Sequence, residues 1–85
     1  MTLNEIVVKH AVTHIDLLQI DVEGFDCLIL LSYDFTLVHP SVISFEHRHC
    51  TADEYQACEA ILKREGYRCM GKGDFDALFV IKNQT

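Results

Sequence analysis

The 85 residues carry a formal net charge of −6, and 49% of them are hydrophobic and 24% charged, which is the composition of a single small globular domain. Because the seven Lys and Arg residues form no cluster that would neutralise phosphates, we predict no nucleic-acid partner and no anionic membrane partner. No apolar run approaches the roughly 20 residues that span a bilayer, and the first residues lack a secretory signal, so the expected location is cytoplasmic.

The first predicted elements are a helix and a buried strand. Thr2 to Glu5 reads T-x-x-E, a capping box, and predicts a helix over about residues 3 to 11. Its apolar residues recur at helical spacing at Leu3, Ile6, Val7 and Ala11. Residues 15–20 are nearly continuously apolar, which is typical of a strand covered on both faces in a parallel sheet.

A second helix and strand follow the acidic turn Asp21-Val22-Glu23-Gly24. The helix is predicted to bury the side of its wheel that carries Phe25, Leu28, Ile29 and Leu31. Pro40 belongs to a loop, and residues 42–45 form a short buried strand that ends at Glu46. A β-α-β unit is therefore predicted over roughly residues 15 to 46.

The last predicted elements are a helix and a hairpin. Thr51 to Glu54 is a second T-x-x-E box, and Gly66 is placed to end the helix that it begins. Residues 67–70 and 77–81 are predicted strands, joined by the turn-rich link 71–74 into an antiparallel hairpin. The tail 83–85 is expected to fray.

The four cysteines have irregular spacing, with no C-x-x-C pair among Cys27, Cys50, Cys58 and Cys69. This spacing favours neither a zinc ribbon nor a redox dithiol, so we predict reduced thiols. Cys58 falls on the apolar side of its helix, where we expect it to pack as a small hydrophobe.

Three segments carry a resemblance to a known family. Residues 15–25 resemble the FkbM methyltransferase signature, a buried strand that runs into a D-V-E-G turn. Pro40 leading into residues 42–46, and the Gly66-Tyr67 helix exit followed by residues 76–80, also resemble that family. The three matches stand in the family's order along nearly the whole chain.

The resemblance implies an α/β fold, with part of a Rossmann-like methyltransferase sheet: two parallel strands plus a C-terminal antiparallel hairpin, flanked by helices. Residues 1–85 would form one domain, the C-terminal half of an enzyme that uses S-adenosylmethionine to methylate a hydroxyl of a sugar or secondary metabolite. The Gly-rich cofactor loop is missing, since the only close glycine pair, Gly71 and Gly73, lies late in the chain. Cofactor-binding residues are therefore not assigned, and the chain alone is expected to be inactive.

Ligands of open α/β sheets bind beyond the carboxyl ends of the strands, where Asp21, Glu23 and Glu46 are predicted to project. We predict that Asp21 and Glu23 position donor or acceptor, and that Glu46 acts as a base or as a ligand of the acceptor hydroxyl. An alternative for Glu23 is structural, because an acid in the first turn of a helix is favoured by the helix dipole. Gly24 is expected to supply tight backbone geometry.

His47 and His49 are predicted to contact the substrate, and they would point the same way if the strand continued through them. No metal site is assigned. The alternative is a metal held by these histidines with Asp21 and Glu46.

Two functions from different classes remain open. The first is a methyltransferase fragment, either a truncated gene product or half of a split enzyme, with a small-molecule hydroxyl acceptor. The second is a non-catalytic interaction module, because residues 15–20 would become an apolar sheet edge without preceding strands. Both predict a homo-oligomer or a complementary chain that covers this edge. A third and less favoured hypothesis is a nucleotide-binding half-domain, since the sequence contains no phosphate-binding loop.

Overall fold

The computed structural model describes residues 2–22 and 25–82, and its elements follow the predicted order of three helices and four strands. The elements are α1 (Leu3–Lys9), β1 (Leu17–Ile20), α2 (Asp26–Ser32), β2 (Val42–Glu46), α3 (Ala52–Arg64), β3 (Tyr67–Lys72) and β4 (Asp76–Ile81). The α/β class is therefore confirmed. The predicted tail at 83–85 lies outside the described residues.

Helix α1 begins where the T-x-x-E pattern predicts, because the Thr2 hydroxyl accepts a hydrogen bond from the Glu5 amide at 3.1 Å. The Glu5 carboxylate bonds the Thr2 hydroxyl instead of its amide, so only half of a capping box forms. The helix ends at Lys9 rather than residue 11, since Ala11 adopts a positive φ of 49° that no α-helix continues through. Asn4 then fastens α1 to the end of α2 by bonds to Ser32 O and Asp34 N.

The four strands form one mixed sheet in the order β1-β2-β4-β3. Strands β1 and β2 are parallel, and β4 pairs antiparallel with both β2 and β3. This confirms the two parallel strands and the antiparallel hairpin. The insertion of the last strand, β4, between β2 and β3 is a feature that local patterns do not specify.

One face of the sheet is covered by helices and holds the core. The most buried side chains of the strands lie on this face, and they are Ile20, Ile43, Phe45, Tyr67, Ala77 and Phe79, each no more than 7% exposed. Helix α2 packs on β2 and on α3, and α3 packs on β3. Burial of this apolar face supplies most of the driving force for folding.

The opposite face and the β1 edge are open. Leu17 is 54% exposed and Leu78 is 38% exposed, while Val42 and Val80 are half-buried. β1 is an edge strand whose Leu17 and Gln19 face solvent, so the prediction that it is covered on both faces is wrong. Its apolar sequence had suggested two covered faces, whereas the described part of the chain has enough helix to cover one.

Helix α2 buries only part of the side that was predicted, since Ile29 and Leu31 pack partly buried against the core but Phe25 and Leu28 do not. Its buried residues are Asp26, Cys27 and Leu30, while Phe25 is 62% exposed and Leu28 is 47% exposed. The error arises because hydrophobicity alone chose the face. Asp26 was not among the residues predicted to be buried, yet it lies inside and its carboxylate accepts hydrogen bonds from two backbone amides.

Helix α3 agrees with its prediction at both ends. Thr51 and Glu54 form a complete capping box, and Gly66 ends the helix with φ +96°, a conformation that glycine adopts without strain. Cys58 is 1% exposed in the core, as expected, and all four cysteines are free thiols.

Candidate functional site

The candidate site lies where β1 and β2 end. Because these strands are parallel and paired from Leu17↔Val42 to Ile20↔Phe45, the residues that follow, Asp21 and Glu46, emerge at the same edge. The negative charge of Asp21 acts on the Glu46 carboxyl group and raises its pKa, as expected for two acids at one edge of the sheet. The structure thus brings together two of the three predicted acids.

The environment of Glu46 favours its protonated form. Loss of solvent and the nearby carboxyl group of Asp21 together raise the pKa of Glu46, and His49 opposes them. The side chain nevertheless retains 22% exposure, so a ligand at the sheet edge can reach it. A carboxylate whose pKa is raised is a stronger proton acceptor than an ordinary one.

A third acid, Asp26, lies behind this pair and was missed by the sequence reasoning. Its side chain is fully buried, and its two oxygens accept hydrogen bonds from Val22 N at 3.2 Å and Glu46 N at 3.0 Å. The signal that was available is its position four residues before the core residue Leu30, on the same side of the helix.

The two histidines separate. The strand ends at Glu46, so the alternation that would have aligned His47 with His49 does not apply. His49 stays near the acid pair, with its Nε2 4.0 Å from Glu46 Oε1. The His47 ring turns to the helical side, where it contacts the Tyr55 ring at 5.2 Å and donates from Nε2 to Gly73 O at 3.0 Å.

Glu23 and Gly24, the remaining residues of the acidic turn, lie outside the described residues. The predicted positioning role of Glu23 and the backbone role of Gly24 therefore stay predictions.

A groove of about 650 Å³ runs beside β1, between α1 and α2. Its walls are mainly apolar, from Leu3, Ile6, Leu18, Ile20 and Ile29, and Asp21 contributes its one carboxylate. In the part of the chain that the structure describes, no lysine, arginine or glycine-rich loop lines it. The described residues alone therefore do not fit a methyl donor that carries both a cationic sulfonium and a carboxylate.

A second, more polar cleft of about 550 Å³ lies between the start of α3 and the β3–β4 turn. Lys72 Nζ sits 4.1 Å from the Tyr55 ring centroid, and the Arg48 guanidinium sits 4.8 Å from that of Phe75. Glu59 and Asp74 also line this cleft, so its charge is mixed.

Within residues 2–22 and 25–82, no three His, Cys, Asp or Glu side chains are grouped so as to hold a metal ion. Over the same residues, no helix has the length and apolar character needed to cross a membrane.

The fold and the acid pair define an α/β protein whose candidate ligand site lies beyond the carboxyl ends of two parallel strands. Residues 1–69 match the Methyltransferase FkbM domain, which covers most of the chain, so this protein belongs to the FkbM methyltransferase family. The predicted resemblance is confirmed, although residues 76–80 lie outside the matched range. Searches of curated proteins and of solved structures found no match.

Proposed function

We propose that this chain is the acceptor-side half of an S-adenosylmethionine-dependent O-methyltransferase that acts on a hydroxyl of a sugar or secondary metabolite. The observation that carries the proposal is that Asp21 and Glu46 emerge together at the carboxyl ends of two paired parallel strands, in a chain of the FkbM family. The sheet order β1-β2-β4-β3, with parallel strands followed by an antiparallel hairpin, supports a partial Rossmann-like methyltransferase sheet.

In this proposal the donor's sulfonium supplies the methyl group, and the described residues handle the acceptor. Glu46 accepts the proton that the hydroxyl loses, because its raised pKa suits it to bind a proton. Asp21 orients Glu46 and the acceptor, and the exposed His49 beside Glu46 contacts the acceptor at the rim. The His47 ring, held by Gly73 O, shapes the neighbouring loop.

The donor site is completed by a complementary segment or chain. Among the residues that the structure describes, the groove beside β1 is lined by no Gly-rich loop and no cationic side chain, and β1 lies at the edge of the sheet next to it. A strand that added to this edge would extend the parallel sheet and cover the groove.

Calorimetric titration of the chain with S-adenosylmethionine tests this division. We expect negligible heat, since the donor-binding loop is absent from the sequence. Tight binding by the chain alone would contradict the assignment to the acceptor-side half. If heat is seen, its loss in Asp21→Asn would show that the binding depends on the acid pair.

A second candidate is a non-catalytic module that pairs through its sheet edge. The observation that favours it is the exposed apolar side of β1, where Leu17 is 54% exposed at the end of the sheet order. Size-exclusion chromatography with light scattering should then show dimers or larger species that Leu17→Lys reduces. A clean monomer at high concentration would argue against self-pairing, and Arg68→Ala, on the distant edge strand β3, is the matched control.

A further inference from the structure

Among the residues that the structure describes, Asp26 is the one charged residue that is buried. Both of its carboxylate oxygens accept hydrogen bonds. Oδ1 accepts from Val22 N at 3.2 Å, four residues back along the chain, and Oδ2 accepts from Glu46 N at 3.0 Å, across the sheet. Its first-turn position in α2 would suit capping of its own helix, yet its oxygens face the two strand ends instead.

We propose that Asp26 is a positioning residue that joins the end of β1 to the end of β2 and thereby sets the separation of Asp21 and Glu46. This inference rests on the proposed function, because it gives Asp26 a role only through the acid pair.

The geometry of the strand ends supports this role. The β1–β2 pairing stops at Ile20↔Phe45, so Val22 and Glu46 lie at or just beyond the last paired residues. Asp26 continues the connection between the strands at this point with two hydrogen bonds from backbone amides to a carboxylate, which are stronger than bonds between neutral groups. Val22 neighbours Asp21 directly, so both ends of the link adjoin a member of the acid pair.

The link also shapes the electrostatics of Glu46. The charged groups that face Glu46 are Asp21, Asp26 and His49, and its cross-strand partner on β4 is Asp76. The negative charge of Asp26 adds to the effect of Asp21 in raising the pKa of Glu46. A substitution at Asp26 that removes both its charge and one hydrogen bond should therefore alter the acid pair, although Asp26 itself is buried and does not contact a bound ligand.

The test is NMR of the full chain as wild type, Asp26→Asn, Asp26→Glu and Leu30→Val. In wild type, the Val22 and Glu46 amides should be protected from hydrogen exchange. Asparagine offers one acceptor oxygen, so in Asp26→Asn at least one of these amides should exchange about tenfold faster or more, relative to the amides of α3. The Glu46 carboxyl should titrate at lower pH in this variant. Asp26→Glu keeps two acceptor oxygens and should partly restore protection.

Leu30→Val is the matched control, since Leu30 is also buried on α2 but bonds neither strand end. It should lower the melting temperature while leaving the Glu46 titration and the relative exchange of Val22 and Glu46 unchanged. The proposal is overturned if those amides are unprotected in wild type, a result that needs no variant to fold, or if Leu30→Val reproduces the Asp26→Asn pattern. Failure of methyl transfer in the completed enzyme, with the NMR pattern as expected, would instead refute the proposed function alone.

Discussion

The two faces of the sheet are built from the same strands but differ sharply in what covers them. On β4, Phe79 is fully buried under the helices, and its neighbour Leu78, on the other face, is 38% exposed. On β1, Ile20 is 7% exposed and Leu17 is 54% exposed. The face under the helices forms a packed core. The open face and the β1 edge carry apolar side chains that no layer covers in the described part of the chain.

This difference teaches where the stability of the chain comes from. Phe79 stacks on Phe45 with ring centroids 5.9 Å apart. It also pairs with Ile43 on the neighbouring strand β2, and Ile43 is itself fully buried. Such contacts are lost only when the core opens. Leu78 removes much less apolar area from water, so the open face adds little to folding and remains available for association.

The largest expected effect is on the covered face. Phe79→Ala should lower the free energy of unfolding by about 3–5 kcal/mol, because it removes a fully buried ring and leaves a cavity against Phe45. Leu78→Ala, one residue away on the open face, should cost less than about 1 kcal/mol. Urea denaturation followed by circular dichroism measures both. Equal losses would mean that the two faces are covered alike in solution.

A smaller effect is expected at the helix that covers the core. Thr51→Ala should lower the free energy of unfolding by about 1 kcal/mol, since it removes the hydroxyl that accepts from Glu54 N at 3.1 Å in the complete capping box. Thr2→Ala, at the start of the seven-residue α1, removes a comparable bond from an exposed helix. The same denaturation experiment should show a smaller loss for Thr2→Ala. The reverse order would place α1, rather than α3, as the main cover of the sheet.

The smallest effect on stability is expected at the rim, and it depends on pH. Because the folded environment raises the pKa of Glu46, its contribution to stability is present below its ordinary pKa and lost as the pH rises through the raised value. Glu46→Gln cannot ionise, so it should be more stable than wild type near pH 7 and indistinguishable from it in acid. Denaturation midpoints at several pH values give this difference.

Glu59→Gln is the matched control for that measurement. It removes the exposed ion pair with Lys63, whose atoms are 3.6 Å apart, so near neutral pH it should slightly destabilise the chain by about 0.3–0.5 kcal/mol. The opposite signs of the two glutamate variants distinguish repulsion within the acid pair from a general effect of net charge. A loss of stability in Glu46→Gln near pH 7 would contradict the raised pKa.

Local patterns predicted the elements well and the burial less well. The capping residues Thr2 and Thr51 and the terminating Gly66 predicted where two helices begin and one ends, because these signals act within a few residues of the chain. The buried side of α2 was predicted only in part, since Asp26 lies inside and bonds the Glu46 amide, which is 20 residues away in the chain. The edge position of β1 depends likewise on which strands are present to pair with it.

The sequence by itself determined the α/β order of elements, the family and the place of Asp21 and Glu46 at one edge, because the carboxyl ends of successive parallel strands meet there. Only the tertiary structure decided that β4 inserts between β2 and β3, that His47 and His49 part, and that Asp26 joins the strand ends. The physical reason is range. Caps, periodicity and strand direction are set by neighbouring residues, whereas strand order and buried hydrogen bonds are set by contacts between residues far apart in the chain.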